Sequence, residues 1–376
     1  MLVNIIANYL DVSVEQAQAV MNLMTLEKRW SEDIVRKDKS YNLATAITHA
    51  DFLDFLQAVG QAKWFGGQDR TKFPTQSDLE IKQQYLPHIK SLGMMKKIPY
   101  PAELPAPAFV NVLGSHVPNV KMRLNTLMQE APRTIPTQYV VFATGSNREL
   151  GKFADISLEL EMKQRLEAEQ KPATEMNMLS ALTQEKVTEL NQIYTLDDMV
   201  QFKPINTTVI PADQARVNTA DTATSLKQAL EREPSFETLS RPILVEVISN
   251  QPFVERQARD TQKNLGPDFK VVGVGDELTE DMFYSNPLSV SVCLGEVARL
   301  ININYIEPKL VKTPLNSDEL EEIRVLMGRG LNAERSASPR QQDKAFGANS
   351  PGVFGSVVAN STSALTENHT NRVVLK

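Results

Sequence analysis

Residues 109–116 read FVNVLGSH, five positions of which four are apolar, then glycine, serine and histidine. A short apolar run that stops at a glycine reads as a strand buried on both faces and ending in a turn. The figure returns at 139–148, YVVFATGSNR, and at 243–251, ILVEVISNQ. Two further strands are expected at Ile205 to Ile210 and at Phe269 to Val274. Between and beyond the strands the apolar spacing is helical, over Asn119 to Glu130, Ser157 to Glu169, Thr174 to Ile193, Thr219 to Glu231, Pro252 to Leu265 and Leu288 to Asn302. Strand and helix in alternation predict an α/β fold, a doubly wound, mostly parallel sheet of Rossmann-like type spanning 109–332.

Upstream of Phe109 lies KIPYPAELPAPA, residues 97–108, where Pro99, Pro101, Pro105 and Pro107 fix the backbone and remove donors; this predicts an extended linker. Before it, residues 1–96 show apolar side chains at three- and four-residue intervals, as in Ile5, Leu10, Val14, Ala17, Val20, Met21 and Met24, with no strand alternation. An N-terminal all-α domain is expected there, with Trp30, Trp64 and Phe65 in its core. Residues 333–376 are rich in Ser, Asn, Thr, Gly and Ala with few large apolar side chains, which predicts a disordered, low-complexity tail.

Composition limits the function. The 376 residues are 41% hydrophobic and 23% charged, and 40 Lys and Arg against 46 Asp and Glu give a formal charge of -6. That balance, without a dense basic and aromatic stripe, speaks against nucleic acid as partner. Cys293 is the one cysteine, so no intramolecular disulfide forms and no redox pair exists, and no Cys/His spacing suggests a metal. No apolar run approaches the about 18 residues that span a bilayer, and the first residues lack the basic region of a signal peptide. The chain is expected in the cytoplasm, or translocated without a cleaved signal.

In an open parallel sheet, ligands collect beyond the carboxyl ends of the strands. Those ends carry Gly114, Ser115 and His116; Gly145, Ser146, Asn147 and Arg148; Ser249, Asn250 and Gln251; and, after the third strand, RVNTADT at 216–222 with Arg216, Asn218, Thr219 and Asp221. Glycine lets a ligand approach the backbone, and amides at a helix start favour phosphate or carboxylate. Arg148 adds positive charge. The same Ser, Thr, Asn and Asp also cap helices in proteins that hold no ligand there. His116 is a candidate acid or base near neutral pH, or a structural side chain. Glu175, in KPATEMNML, either stabilises a helix start or accepts from a ligand hydroxyl, with Asp221 as a second candidate carboxylate. The charged stretch 158–170, LELEMKQRLEAEQ, reads as a solvated helix face. Residues 272–276, VGVGD, lack the third glycine of a dinucleotide fingerprint, so redox chemistry fits less well than hydrolysis or group transfer.

Taken in order, VNVLGS followed by Arg123, FATGS, PATEM, VNTADT and SNQPFVERQ resemble the YdcF/SanA/ElyC-like family of Rossmann-like proteins, over about residues 108–305. The resemblance implies a ligand pocket from Gly114, Arg123, Gly145, Glu175, Asn218, Thr219, Ser249 and Arg256. It also implies S-adenosylmethionine as a candidate ligand alongside a nucleotide. Where better-known members carry a histidine after the fourth strand's serine, this chain has Pro252 and Phe253, and Arg256 is displaced by about one position. The expected function is binding, with hydrolysis or transfer as the candidate reaction, of a small molecule bearing phosphate or carboxylate. The alternative is a secreted bacterial effector or protein-interaction module that engages a protein partner through the helical domain and the tail.

Overall fold

The computed structural model describes residues 1–26, 34–36, 39–64, 79–134, 139–150, 156–193, 200–207, 217–286, 288–305 and 313–336. Calls on Trp30, Phe65, Arg216, residues 208–210 and the tail beyond 336 lie outside these. The elements run α1 (Leu2–Leu10), α2 (Val14–Leu26), β1 (Ile34–Arg36), β2 (Lys39–Tyr41), α3 (His49–Val59), α4 (Leu79–Ser91), β3 (Phe109–Leu113), α5 (Val117–Thr134), β4 (Tyr139–Ser146), α6 (Ile156–Ala168), α7 (Glu175–Ile193), β5 (Val200–Thr207), α8 (Thr219–Leu230), β6 (Ile243–Asn250), α9 (Val254–Leu265), β7 (Phe269–Asp276), α10 (Glu280–Ser285), α11 (Ser289–Tyr305) and α12 (Ser317–Ser336).

Five strands form one sheet in the order β5-β4-β3-β6-β7, every neighbouring pair parallel. The chain starts in the middle, winds outward to β5, then returns to the other side of β3. That reversal puts the topological switch between β3 and β6, the position at which such sheets open a crevice. Two apolar layers cover the sheet. On one face Val110, Val112, Val141 and Ala143 meet α5, α6 and α7 through Leu124, Leu127, Leu166, Leu179 and Leu190. On the other, Phe109, Phe142, Val245 and Val247 meet Leu226 and Leu230 of α8 and Leu265 of α9. The architecture is therefore the expected Rossmann-like α/β fold.

β5 begins five residues before the strand expected from Ile205, and three details explain the difference. The strand lies at the sheet edge, only its end residues Val200 and Thr207 are buried, and Pro204 sits within it. An edge strand tolerates a proline because one row of its groups faces no partner. The helix after β6 also departs from expectation: Phe253 is its N-cap and Val254 its first residue, so Pro252 stands before the helix rather than in its first turn. In the N-terminal region, β1 and β2 form a small antiparallel pair where helix alone was expected.

The apolar cluster of that region crosses the linker. Leu2, Ile6, Leu23, Phe52, Phe55, Leu56 and Trp64 share one core with Phe283, Val290, Cys293, Val297, Ile301, Ile323 and Leu326. Backbone bonds reinforce the joint: His49 N–H donates to Thr313 O at 2.9 Å and Leu315 N–H to Ile47 O at 2.9 Å. The linker itself is tied down, since Ile98 and Gly275 exchange both backbone bonds at 2.9 Å. Among the described residues no helix is long and apolar enough to cross a membrane.

Candidate functional site

The carboxyl ends of β3 and β4 bring together side chains from five places in the sequence. Leaving β3, the chain passes Gly114, Ser115 and His116 before α5 starts. Leaving β4, it passes Asn147 and Arg148. Glu175 opens α7, its amide donating to Arg148 O at 2.8 Å. This backbone bond places the carboxylate under the end of β4. Ser146 Oγ donates to Glu175 Oε2 at 2.6 Å, and Arg148 Nε donates to the same oxygen at 3.3 Å.

Gly114 is what lets the carboxylate in. A Cβ at that position would lie 2.6 Å from Glu175 Oε1 and 3.1 Å from Gly145 Cα. At Gly145 a Cβ would meet Leu179 and Met176 at 3.3 Å, so this glycine allows α7 to close on the strand. The space beside both glycines is thus filled by protein atoms rather than held open for a ligand backbone contact.

His116 faces a second carboxylate. Its Nδ1 is 2.9 Å from Oε1 of Glu159, on α6, which is 2% exposed. Arg148 Nη1 stands 3.5 Å from both ring nitrogens. Arg148 therefore lies between the His116 ring and Glu175. Its remaining nitrogen, Nη2, is buried and has no hydrogen-bond partner among the described residues. Thr144 Oγ1 and Thr207 Oγ1, at the same ends of β4 and β5, are likewise buried without a partner. Thr207 lies in register with Ser146. Most buried polar groups in folded proteins, roughly nine in ten, are paired, so three at the adjoining ends of β4 and β5 mark a place where the protein's own bonding is incomplete.

At the switch point, the crevice between β3 and β6 is filled by Arg123. Its guanidinium donates to Asn250 Oδ1 at 2.9 Å and to the carbonyls of Leu113 and Gly114 at 2.7 Å each. Burial lowers its pKa to about 9, opposed by the charge of Glu175 and reinforced by Arg256, so it remains cationic at neutral pH. It lends positive potential to the cluster next door without a carboxylate bonded to it directly.

The other expected residues divide by what they touch. Ser249 Oγ donates to Gln257 Oε1, Asn250 Nδ2 to Gln251 O at 3.0 Å, and Gln251 Nε2 to Gly93 O at 3.0 Å and Lys96 O at 2.7 Å. The amide of Gln251 donates to Asp276 O at 3.2 Å. This junction thus anchors the segment between α4 and the linker to the sheet. Asn218 and Asp221 form the capping box of α8, with Asp221 N–H to Asn218 Oδ1 at 3.0 Å and Asn218 N–H to Asp221 Oδ2 at 2.9 Å. Thr219 Oγ1 accepts from Arg256 Nη1 at 2.9 Å. Arg256 in turn is bonded to Glu296 at 2.5 Å and Asp260 at 3.0 Å, a buried network that joins α8, α9 and α11. Ser115 Oγ accepts from Asn119 at 3.0 Å, and Asn147 Oδ1 accepts from Asn206 at 2.9 Å. The structure thus gathers Gly114, His116, Gly145, Ser146, Arg148 and Glu175 into one cluster and gives Asp221 and the Ser249 to Gln251 side chains structural partners.

Glu159 belongs to the cluster and was assigned to a solvated face from sequence. Its neighbours Leu158 and Leu160 are exposed, the reverse of what hydrophobicity suggests. A mostly apolar recess lined by Leu10, Val12, Val20, Met94 and Val297, with Gln16 and Glu255 also on its wall, lies among α1, α2, α9 and α11. Among the described residues no group of three or more His, Cys, Asp or Glu is placed to hold a metal ion. Compared with protein-family models, curated proteins and solved structures, the chain matches none of them.

Proposed function

We propose that the chain binds a small molecule bearing phosphate or carboxylate at the carboxyl ends of β3, β4 and β5, with Arg148 as the group that holds the anion. The observation that carries this reading is the buried, unpartnered Nη2 of Arg148. An uncompensated guanidinium nitrogen costs free energy until an acceptor reaches it, and a planar fork beside an anion satisfies that donor in a bidentate manner. Thr144 and Thr207 hydroxyls add unsatisfied groups at the same end of the sheet. Glu175, bonded to Ser146 and Arg148, is the acceptor for a hydroxyl of the ligand in this reading.

Nucleotides and S-adenosylmethionine are the first candidates, on the strength of the resemblance over residues 108–305 and the Rossmann-like sheet. Fold alone does not select among them. The test is thermal unfolding of the full chain against inorganic phosphate, nucleotides, S-adenosylmethionine and sugar phosphates, since a ligand of the native state raises its midpoint. A saturable rise that disappears in Arg148→Ala is the expected result. A rise of equal size in the Arg148→Ala chain, or no rise with any of them, rejects the site.

A further inference from the structure

The His116 and Glu159 pair is more than an ion pair on the surface. His116 is a quarter exposed while the carboxylate beside it is buried, so the two groups meet water very differently. Among the described residues, nearby charges include Glu159 from α6, Arg148 from the end of β4, whose Nη1 stands 3.5 Å from Nε2 as well as from Nδ1, and Glu175 from α7 behind Arg148. A buried carboxylate 2.9 Å from Nδ1 commits that nitrogen to donation, which makes Nε2 the nitrogen that gains and loses a proton. A third group that orients an imidazole is the usual way proteins fix its tautomer for proton transfer.

We infer that Glu159 is a positioning residue that makes His116 the proton-transfer group of this cluster, with Nε2 accepting the O–H proton of a ligand hydroxyl or a water beside an anion held at Arg148. The inference rests on the anion reading of Arg148 for its location. The proton balance is simple: oxygen loses it, Nε2 gains it, and Nδ1 keeps its own hydrogen toward Glu159. Glu159 itself never touches the ligand.

Nitrogen-15 NMR of the full chain labelled at its four histidines reads this directly. The neutral His116 ring is expected to carry its hydrogen on Nδ1; an Nε2–H ring in the unaltered chain overturns the inference without any variant being made. In Glu159→Gln the His116 proton affinity is expected to fall roughly tenfold as the neighbouring negative charge is lost. Glu169→Gln, on the exposed side just past the same helix, is the control and should leave it unchanged. An unchanged titration and tautomer in Glu159→Gln refutes the inference. Carbethoxylation then tests the location: 10 mM-scale phosphate should slow modification of His116 and not of His88. Modification that phosphate does not slow removes the link to the anion. The phosphate-dependent midpoint of the unaltered chain against Arg148→Ala is read separately, so loss of the binding reading and loss of the dyad are told apart.

Discussion

Replacing Glu246 by glutamine should make the protein more stable in alkali and leave it little changed in acid. Glu246 lies in β6, fully buried, and neither carboxyl oxygen has a hydrogen-bond partner among the described residues. Burial, with the charge of Glu130 as a second cause, raises its pKa from 4.5 to about 8. The nearby Tyr100 hydroxyl is pushed up to about 12, by burial first and by Glu246 second. Because the folded pKa lies above the unfolded one, the native chain keeps a proton that the unfolded chain has released. Stability is therefore fully present below pH 4.5 and is lost as pH rises towards 8. At about 1.4 kcal/mol per pH unit, the span amounts to roughly 5 kcal/mol, of which about 3 is already lost at neutral pH. Glutamine has the same shape and no charge to bury, so Glu246→Gln should abolish most of this slope. Urea unfolding followed by circular dichroism from pH 5 to 8.5 gives both curves. If the unaltered and variant chains lose stability in parallel over that range, burial of Glu246 is not the cause.

Further expectations concern the same architecture. Gly275→Ala places a Cβ 2.4 Å from Val254 Cγ2 and 3.0 Å from Ser249 O, so it should cost about 1–3 kcal/mol in a thermal melt. Gly328→Ala, with open space around it in α12, should instead stabilise by about 0.5–1 kcal/mol. Arg123→Ala strips Asn250 and two carbonyls of their donor at the switch point and should cost about 3–5 kcal/mol in urea unfolding. Asp221→Ala should cost about 1 kcal/mol through its cap while leaving any phosphate-induced rise in midpoint intact; loss of that rise would move Asp221 into the site.

Much of the sheet was legible because its strands are mostly continuous apolar runs: central β3 was placed residue for residue, and β6 and the edge strand β7 extend two residues past their expected ends. Helix boundaries followed from period and turn chemistry. The edge strand β5 was the exception, since a half-exposed strand containing Lys203 and Pro204 carries a weak pattern and its apolar end drew the expectation downstream. At the site, the residues that follow directly from strand ends, His116, Ser146 and Arg148, could be named from their position in the chain. Their partners could not. Glu159 sits among alternating charges where nothing local distinguishes a buried glutamate from a solvated one, and only the closure of α6 over the end of β3 selects it. For the same reason the sequence could not tell a glycine kept for a ligand from Gly114, kept for Glu175. The capping box at Asn218 and Asp221 shows the converse, a motif whose chemistry is satisfied within its own helix turn.

The core shared by the first helices with α11 and α12 sets an order of events during synthesis. Residues 1–96 leave the ribosome about 200 residues ahead of Val290, Ile301 and Ile323, which complete their apolar contacts. The five-stranded sheet, contained between Phe109 and Asp276, can close first. The opening helices must meanwhile wait with an incomplete interior, in the state where a chaperone holding exposed apolar surface would matter most. A ribosome stalled once Asp276 has cleared the exit tunnel should therefore display a protease-resistant sheet and protease-sensitive helices, and the helices should become resistant only once α12 has emerged.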